Sequence, residues 1–344
     1  MSIAIINPEA VAGRSARRVL IIGVGSIGER HLRSFQAFNN VQVAACESNA
    51  ELGHAISAKY ACPWFSSLDA AFKSGQFDAA VVCTPANAHT QIATACVERG
   101  LHVLIEKPLA VSLDGLEELQ RMAVQCQRVV RVAYVHHSML LNLRLRELLQ
   151  SGIIGEPKHV TMVAGQHFPS FRPAYRTIYY NDHSKGGGAI QDALTHSLNL
   201  VEWLISPICS VFADASHQVL EGVAVEDTVN LVARLAGGVQ AAFTLNQFQA
   251  PNEFVLSVHG HAGSLRAELH RQRVGIFQHG DDDWNWEQLP SEHRDQSFIR
   301  QAGAFLAAIN GEGDLLATLG QGIQSLRVNL AALESANTGA QVLL

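Results

Sequence analysis

The stretch RVLIIGVGSIGERHL, residues 18–32, decides the fold of the first half of this chain. Its apolar, β-branched run is typical of a strand buried on both faces of a parallel sheet. A G-x-G-x-x-G pattern follows where the strand gives way to a helix predicted to continue through Phe38. In this pattern the first glycine allows a tight turn, the second lets a pyrophosphate approach the backbone, and the third permits close helix–strand packing. The stretch therefore predicts a dinucleotide-binding turn.

The residues expected to bind the cofactor at this turn are Gly23, Gly25, Ser26, Ile27 and Gly28. The second predicted strand, VQVAACES, reaches Glu47, nineteen residues after Gly28. An acid at this spacing accepts hydrogen bonds from the ribose hydroxyls of a dinucleotide. No arginine or lysine follows Glu47 at once to meet a 2′-phosphate, so the sequence favours NAD over NADP. A glycine turn with an unrelated surface glutamate is the plainer alternative.

Strands and helices alternate over the first part of the chain. Helices are predicted around 50–60, 87–99 and 112–126, and further strands at DAAVVCTP (78–85), HVLIEKP (102–108) and VVRVAY (129–134). Such alternation implies right-handed crossovers and a doubly wound parallel sheet. We therefore expect an α/β Rossmann domain over residues 1–136, of which residues 1–17 form an N-terminal lead.

The pattern changes after about residue 136. A helix, LNLRLRELLQSG, is followed by a loop, a second helix and several strand-like segments. One of these, VNLVARLAGGVQAAFTLNQF, carries a Gly237-Gly238 pair that suits a hairpin turn. Neighbouring strands indicate a mainly antiparallel open sheet covered by helices, an α+β domain over residues 137–344.

Composition excludes several classes of protein. The 344 residues are 48% hydrophobic and 16% charged, as in a compact soluble protein. The formal charge of −6 argues against nucleic acid or an anionic membrane as the main partner. Six cysteines without a Cys-x-x-Cys pair make a disulfide framework or a cysteine zinc site unexpected, and no metal site is predicted. No signal peptide or membrane span is recognised, so a cytoplasmic location is expected.

A polar stripe marks the helix predicted within GGGAIQDALTHSLNLVEW, residues 186–203. At about 100° per residue, Asp192, Thr195, His196 and Asn199 fall on one face, opposite a leucine-rich stripe. Solvated faces are usually built from long charged side chains, and short polar groups compete with the helix backbone. The stripe is therefore interpreted as the wall of an active site, with a merely solvated face as the alternative.

A lysine stands at the end of a predicted buried strand, in IEKPLA. Lys107 is expected in the crevice where doubly wound sheets bind their ligands, at the carboxyl ends of the strands. A strand-end lysine that simply reaches solvent is the alternative.

Together these motifs resemble the Gfo/Idh/MocA family, the oxidoreductases named for glucose–fructose oxidoreductase and inositol dehydrogenase. The resemblance rests on G-x-G-x-x-G, the Glu-Lys-Pro triplet of IEKPLA, the stretch TPANAH, GGGAIQDALTH and the closing SANTGAQVLL. The matches run in order from about residue 18 to the end of the chain.

The resemblance implies roles for individual residues. Lys107, Asp192 and His196 would meet at the nicotinamide as catalytic residues. Thr84, Pro85, His89, Glu106 and Lys107 would lie beside the cofactor. Independently of the family, a histidine suits proton transfer near neutral pH, and an ammonium favours a developing alkoxide. Asn199 stands where many members carry an acid, which leaves the outer part of the site open to difference.

The loop FPSFRPAYRTIYY, residues 168–180, precedes this helix and supplies further candidates. Arg172 and Arg176 are predicted to clamp a substrate carboxylate, with Tyr175 and Tyr179 packing a sugar ring. An ordinary surface loop is the alternative. The substrate candidates are completed by two residues outside this loop, Asn199 and His136.

The sequence thus predicts an NAD-dependent dehydrogenase of the secondary alcohol of a polyol, sugar or sugar derivative. Two alternatives stay open: a glycosidase that uses bound NAD for transient oxidation, and a non-catalytic sensor that keeps the nucleotide fold. The resemblance also implies that residues 137–344 bind the substrate and form a homodimer or homotetramer that pairs through the open sheet.

Overall fold

The computed structural model describes residues 16–313 and 315–344. They form two units: one contains the residues up to Ser138 together with Glu292–Ile323, and the other contains Met139–Ser291 and Gln324–Leu344. The expected lead, residues 1–17, lies outside the described residues as far as residue 15, and Arg17 already belongs to the first strand.

The strands of the described chain share two sheets, seven in the first and nine in the second. In chain order they are β1 (Arg17–Ile22), β2 (Val41–Cys46), β3 (Trp64–Phe65), β4 (Ala79–Val82), β5 (His102–Ile105), β6 (Val130–Val132), β7 (Pro157–Gly165), β8 (Ile208–Ser216), β9 (Thr228–Leu235), β10 (Gln240–Asn246), β11 (Glu253–Gly260), β12 (Gly263–Glu268), β13 (Arg273–Gln278), β14 (Asn285–Gln288), β15 (Ala317–Thr318) and β16 (Val342–Leu343).

The α-helices, again in chain order, are α1 (Ser26–Gln36), α2 (Ala50–Tyr60), α3 (Leu68–Ser74), α4 (His89–Glu98), α5 (Leu116–Gln125), α6 (Leu140–Gln150), α7 (Phe168–Phe171), α8 (Thr195–Leu204), α9 (Arg294–Ile309) and α10 (Leu319–Thr338). A π-helix, Ala189–Leu194, precedes α8 directly. Among the residues described, no helix combines the length and apolar character needed to cross a membrane.

The first unit is built on the predicted doubly wound sheet, with strand order β15-β6-β5-β4-β1-β2-β3. Strand β1 pairs in parallel with β2 on one side and β4 on the other. Its residues Val19–Ile22 are at most 3% exposed, because side chains on both faces of a central parallel strand are covered. The parallel α/β class read from the first glycine turn is confirmed.

The segment Glu292–Ile323 joins this first unit, whereas the sequence predicted one continuous second domain over residues 137–344. Strand β15 pairs antiparallel with the edge strand β6. Helix α9 contacts α1, where Asp295 accepts hydrogen bonds from the Arg33 guanidinium at 2.9 and 3.0 Å and from Arg30 at 3.1 Å. The sequence did not predict that this segment joins the first unit, because contacts between residues so far apart in the chain leave no local pattern.

The second unit carries the predicted, mainly antiparallel sheet, with strand order β14-β13-β12-β11-β7-β10-β9-β8-β16. Strands β9 and β10 form the expected hairpin around Gly237-Gly238. The one parallel pairing among the described strands of this sheet joins β7 and β10. The side chains that line its core come from one face of the strands and from α6, α8 and α10, as expected when helices cover one side of an open sheet.

The helix within residues 186–203 differs from the regular α-helix that the sequence predicted. Its first part is the π-helix and only Thr195–Leu204 is α-helical. A wider turn changes the angular offset between residues before and after Thr195. Asp192 therefore does not continue a single polar stripe with Thr195 and Asn199.

Candidate active site

The glycine turn between β1 and α1 has the geometry that a phosphate site needs. Gly23 has a positive φ of 79°, and a Cβ on it would lie 3.0 Å from the Cys83 carbonyl oxygen. A Cβ on Gly28 would lie 1.9 Å from the Gly23 carbonyl oxygen, whereas one on Gly25 would meet nothing within 4 Å. Gly25 and Ser26 are exposed and Ile27 is half-buried. The turn therefore presents open backbone at the N-terminus of α1, where helices bind phosphates.

Glu47 lies beside this turn, directly after β2. Its Oε2 accepts a hydrogen bond from the Val24 backbone N–H at 3.0 Å, and its Oε1 accepts one from the Asn49 N–H at 2.9 Å. The side chain is half-buried. Two backbone donors fix the carboxylate at the edge of the glycine turn, which is the place its spacing predicts for a ribose-binding acid.

The stretch Thr84-Pro85 follows β4, and His89 begins α4. The His89 ring is buried, with Nε2 2.7 Å from the Thr84 carbonyl oxygen and Nδ1 3.1 Å from the Pro108 carbonyl oxygen. Burial lowers the pKa of His89, although the neighbouring carbonyls and Glu106 oppose this effect. The imidazole thus links the ends of two adjacent strands, and its contacts are to protein backbone.

Glu106 and Lys107 follow β5, and a buried histidine holds them. Glu106 Oε1 lies 2.7 Å from His31 Nε2, and its Oε2 accepts a hydrogen bond from the Lys107 N–H at 2.9 Å. Glu106 is 5% exposed and His31 is fully buried, while Lys107 is half-buried. His31 lies one turn after Gly28 in α1, so the glycine helix anchors the backbone of Lys107. Sequence reasoning missed His31, although it stands within the motif.

His136 lies in the 3₁₀ turn Val135–Ser138, after β6. Its pKa is lowered to about 4, chiefly by burial and then by the positive charges of Lys107 and Arg294. His136 is therefore neutral at pH 7. Lys107 is thus close enough to His136 in the first unit for its positive charge to disfavour protonation of the ring.

In the second unit, Glu226 fixes the start of the π-helix. It accepts hydrogen bonds from the Ile190 N–H at its Oε1, 2.9 Å, and from the Ala189 N–H at its backbone carbonyl, 3.0 Å. Its Oε2 lies 2.5 Å from His183 Nε2, a hydrogen bond that raises the pKa of His183. Gly188 has a φ of 88°, and a Cβ there would lie 2.6 Å from the Glu226 carboxylate. The glycine at position 188 thus leaves room for the Glu226 carboxylate, which no sequence motif predicted.

Asp192 is fully buried in the π-helix, and residues of the preceding loop hold its carboxylate. Arg172 Nη1 lies 2.6 Å from Oδ2, and the Tyr179 hydroxyl donates to Oδ1 at 2.6 Å. The negative charge of Asp192 is the main reason that the pKa of Arg172 is raised. His196 follows one turn later and is half-buried.

Asn199, predicted near the substrate, is 2% exposed and contacts α10 instead. Its Nδ2 donates to Ser325 Oγ at 3.0 Å, and Asn329 Nδ2 donates to Thr195 Oγ1 at 2.9 Å. The residues of the predicted polar stripe therefore do not share one role, because Thr195 and Asn199 pack α8 against α10 within the second unit. This corrects the interpretation of the whole stripe as an active-site wall.

Arg176 and Tyr175 also differ from their predicted roles. Arg176 donates to the Glu221 carbonyl oxygen at 2.9 Å and is paired with the exposed Glu221 carboxylate at 3.3 Å. The Tyr175 side chain is 2% exposed, its hydroxyl donates to the same carbonyl, and its ring packs edge-on to Tyr180. Tyr175 is therefore part of a small core under the loop, and it presents no open ring face on which a sugar could pack.

Comparison with known families decides the class of the chain. Residues 17–134 match the model of the oxidoreductase family with an NAD-binding Rossmann fold, and residues 142–266 match the GFO/IDH/MocA C-terminal domain. The chain belongs to the Gfo/Idh/MocA family. This confirms the family predicted from the motifs, and the NAD-binding Rossmann domain is present in its first unit.

Named relatives of this family member act on sugars and polyols. A 1,5-anhydro-D-fructose reductase of Ensifer adhaerens is 26% identical over 93% of this chain and 96% of its own length. An inositol 2-dehydrogenase of Rhizobium meliloti is 23% identical over 94% and 97%. The solved structure of levoglucosan dehydrogenase with NADH and levoglucosan has a TM-score of 0.86 at 19% identity, covering 96% and 99% of the two chains. At that identity the structural likeness shows the fold alone.

Proposed function

We propose that this Gfo/Idh/MocA protein is an NAD-dependent dehydrogenase that oxidises, or in reverse forms, a secondary alcohol of a polyol, sugar or sugar derivative. The observation that carries the proposal is the chain of contacts from the glycine helix to Lys107. His31 in α1 binds Glu106, and Glu106 binds the Lys107 backbone. The helix that suits the cofactor phosphates thus also fixes the lysine.

Lys107, Asp192 and His196 are the residues to which we assign the chemistry. When bound, NAD supplies the hydride acceptor. His196 accepts the proton of the alcohol, because histidine is the side chain whose ordinary pKa is closest to neutrality. The ammonium of Lys107 stabilises the negative charge that develops on the same oxygen. Asp192 orients His196 or binds a second substrate hydroxyl. Thr84, Pro85, His89 and Glu106 are assigned to the cofactor side of the site, where the contacts of His89 and Glu106 hold the strand ends in place.

The glycine turn offers a matched pair of variants that tests the cofactor site. Gly25→Ala should leave the melting temperature near native, because Gly25 has an ordinary φ of −62° and open space at Cβ. It should weaken NAD binding by ~10-fold or more, since a methyl group keeps the pyrophosphate from the backbone. Gly28→Ala should lower the melting temperature, because its methyl group meets backbone. Thermal melts and titration calorimetry with NAD measure both. Native NAD affinity in Gly25→Ala would contradict the site.

Glu47 should determine the choice of NAD over NADP. Glu47→Arg should shift the ratio of kcat/KM values toward NADP by ~10-fold or more, about 1.4 kcal/mol, since it replaces a ribose acceptor by a phosphate partner. Glu51→Arg is the control, because it makes the same charge change at an exposed position in the first turn of α2. A native enzyme that prefers NADP tenfold would contradict this assignment.

We also propose that the protein works as a homodimer or homotetramer in the cytoplasm. The open face of the second sheet supports the assembly, because Phe212 and Val232 are register partners that are 43% and 54% exposed, and Val163 is 47% exposed. Exposed apolar side chains grouped on one face are typical of protein interfaces. Light scattering after gel filtration tests this, and a monomer at working concentration would contradict it.

A further inference from the structure

The carboxylate of Asp192 is held by two partners from one loop. Arg172 and Tyr179 both bind it at 2.6 Å, one on each oxygen, and Asp192 is fully buried. A donor on each oxygen fixes the position of a carboxylate and also its rotation about the side-chain bond. Asp192 is buried, whereas Arg172 is 35% exposed, so removing Arg172 takes a positive partner away from a buried negative charge. The loop therefore determines where this carboxylate points.

Arg172 binds a buried carboxylate, whereas Arg176, four residues later in the same loop, binds an exposed one. Arg176 is about half exposed and binds Glu221 at the surface. The guanidinium of Arg172 faces the buried acid, and its charge is balanced there. A substrate carboxylate would therefore have to compete with Asp192 for Arg172, which argues against the clamp that the sequence predicted.

We propose that Arg172 and Tyr179 are positioning residues, which act on the reaction through Asp192 and not by binding a substrate anion. The inference rests on the proposed function and adds two residues to it. Asp192 lies one turn before His196, so a rotated carboxylate would disturb whichever group it orients. Misplacing a reacting group by about 1 Å can lower a rate by ~100-fold. Loss of either anchor should therefore lower kcat more than it raises KM.

The test is a double-mutant cycle on the full chain, measured with an uncharged substrate identified by NAD reduction and with the matching acidic sugar. Arg172→Ala should lower kcat by ~10- to 100-fold, and Arg172→Lys should recover part of this loss. Tyr179→Phe, which removes one hydroxyl, should lower kcat with little change in melting temperature. In the Asp192→Asn background, Arg172→Ala should add less than a ~3-fold effect, because residues that act as a unit are not additive.

Two controls separate positioning from general damage. Lys185→Ala removes another cation of the same segment, one that is exposed and paired with Asp182, and should leave kcat unchanged. NAD affinity should stay near native in every variant, because the glycine turn and Glu47, to which cofactor binding is assigned, are unchanged.

Each outcome bears on the proposal. An effect of Arg172→Ala that is confined to the KM of acidic sugars and persists in Asp192→Asn would overturn it in favour of an anion clamp. Unchanged kcat in Arg172→Ala and Tyr179→Phe would overturn it as well. Both results presuppose a wild-type protein that reduces NAD. A wild-type protein that binds NAD but reduces none with any polyol or sugar would instead refute the proposed function.

Discussion

Replacing Lys107 by alanine should lower kcat by ~100-fold or more while NAD affinity stays near native, because a preorganised charge at the reacting oxygen is usually worth that much. The backbone of residue 107 should keep its place, since Glu106 accepts a hydrogen bond from its N–H group, which the substitution leaves unchanged. Steady-state kinetics and a separate NAD titration measure the two effects.

Lys73→Ala is the matched control, because Lys73 is an exposed lysine of the same unit. It should change neither kcat nor NAD affinity. A Lys107→Ala enzyme with near-native kcat on the true substrate would show that the lysine has another role.

Replacing His196 by alanine should likewise lower kcat by ~100-fold or more, as expected when a general base is lost. Added imidazole should restore part of the rate, since a small free base can replace the missing ring.

His270→Ala serves as the control for His196, because His270 is an exposed histidine of the same unit. It should keep the native rate and show no response to imidazole. If His196→Ala turned over at the native rate, or if imidazole accelerated both variants equally, the base would have to be sought elsewhere.

The parts of the fold that could be predicted are those with local signals. A buried β-branched strand, a glycine turn and an amphipathic helix occupy adjacent positions, so residues 18–32 were enough to identify the first sheet. The assignment of Glu292–Ile323 to the first unit had no such signal. It depends on the pairing of β15 with β6, whose residues are far apart in the chain.

In the candidate site, too, the sequence predicted where residues lie along the strands but not which partners they contact. Motif spacing located Gly25, Glu47 and Lys107 at the ends of the expected strands. It did not show that Asn199 would meet Ser325, because that partner lies 126 positions away. The contacts of Asp192 could not be predicted for a different reason. Arg172 is only 20 positions away, but it lies in an irregular loop without periodicity.

The most direct test of the account is NADH formation by the purified protein over a panel of polyols, aldoses and their glycosides, with Lys107→Ala measured alongside. We expect at least one free polyol or sugar to give NADH and ketone in equal amounts, and the variant to give little of either. Cleavage of a glycoside without net NADH would contradict the account. So would a protein that binds NAD and sugar but forms no NADH, or a Lys107→Ala variant as active as the native protein.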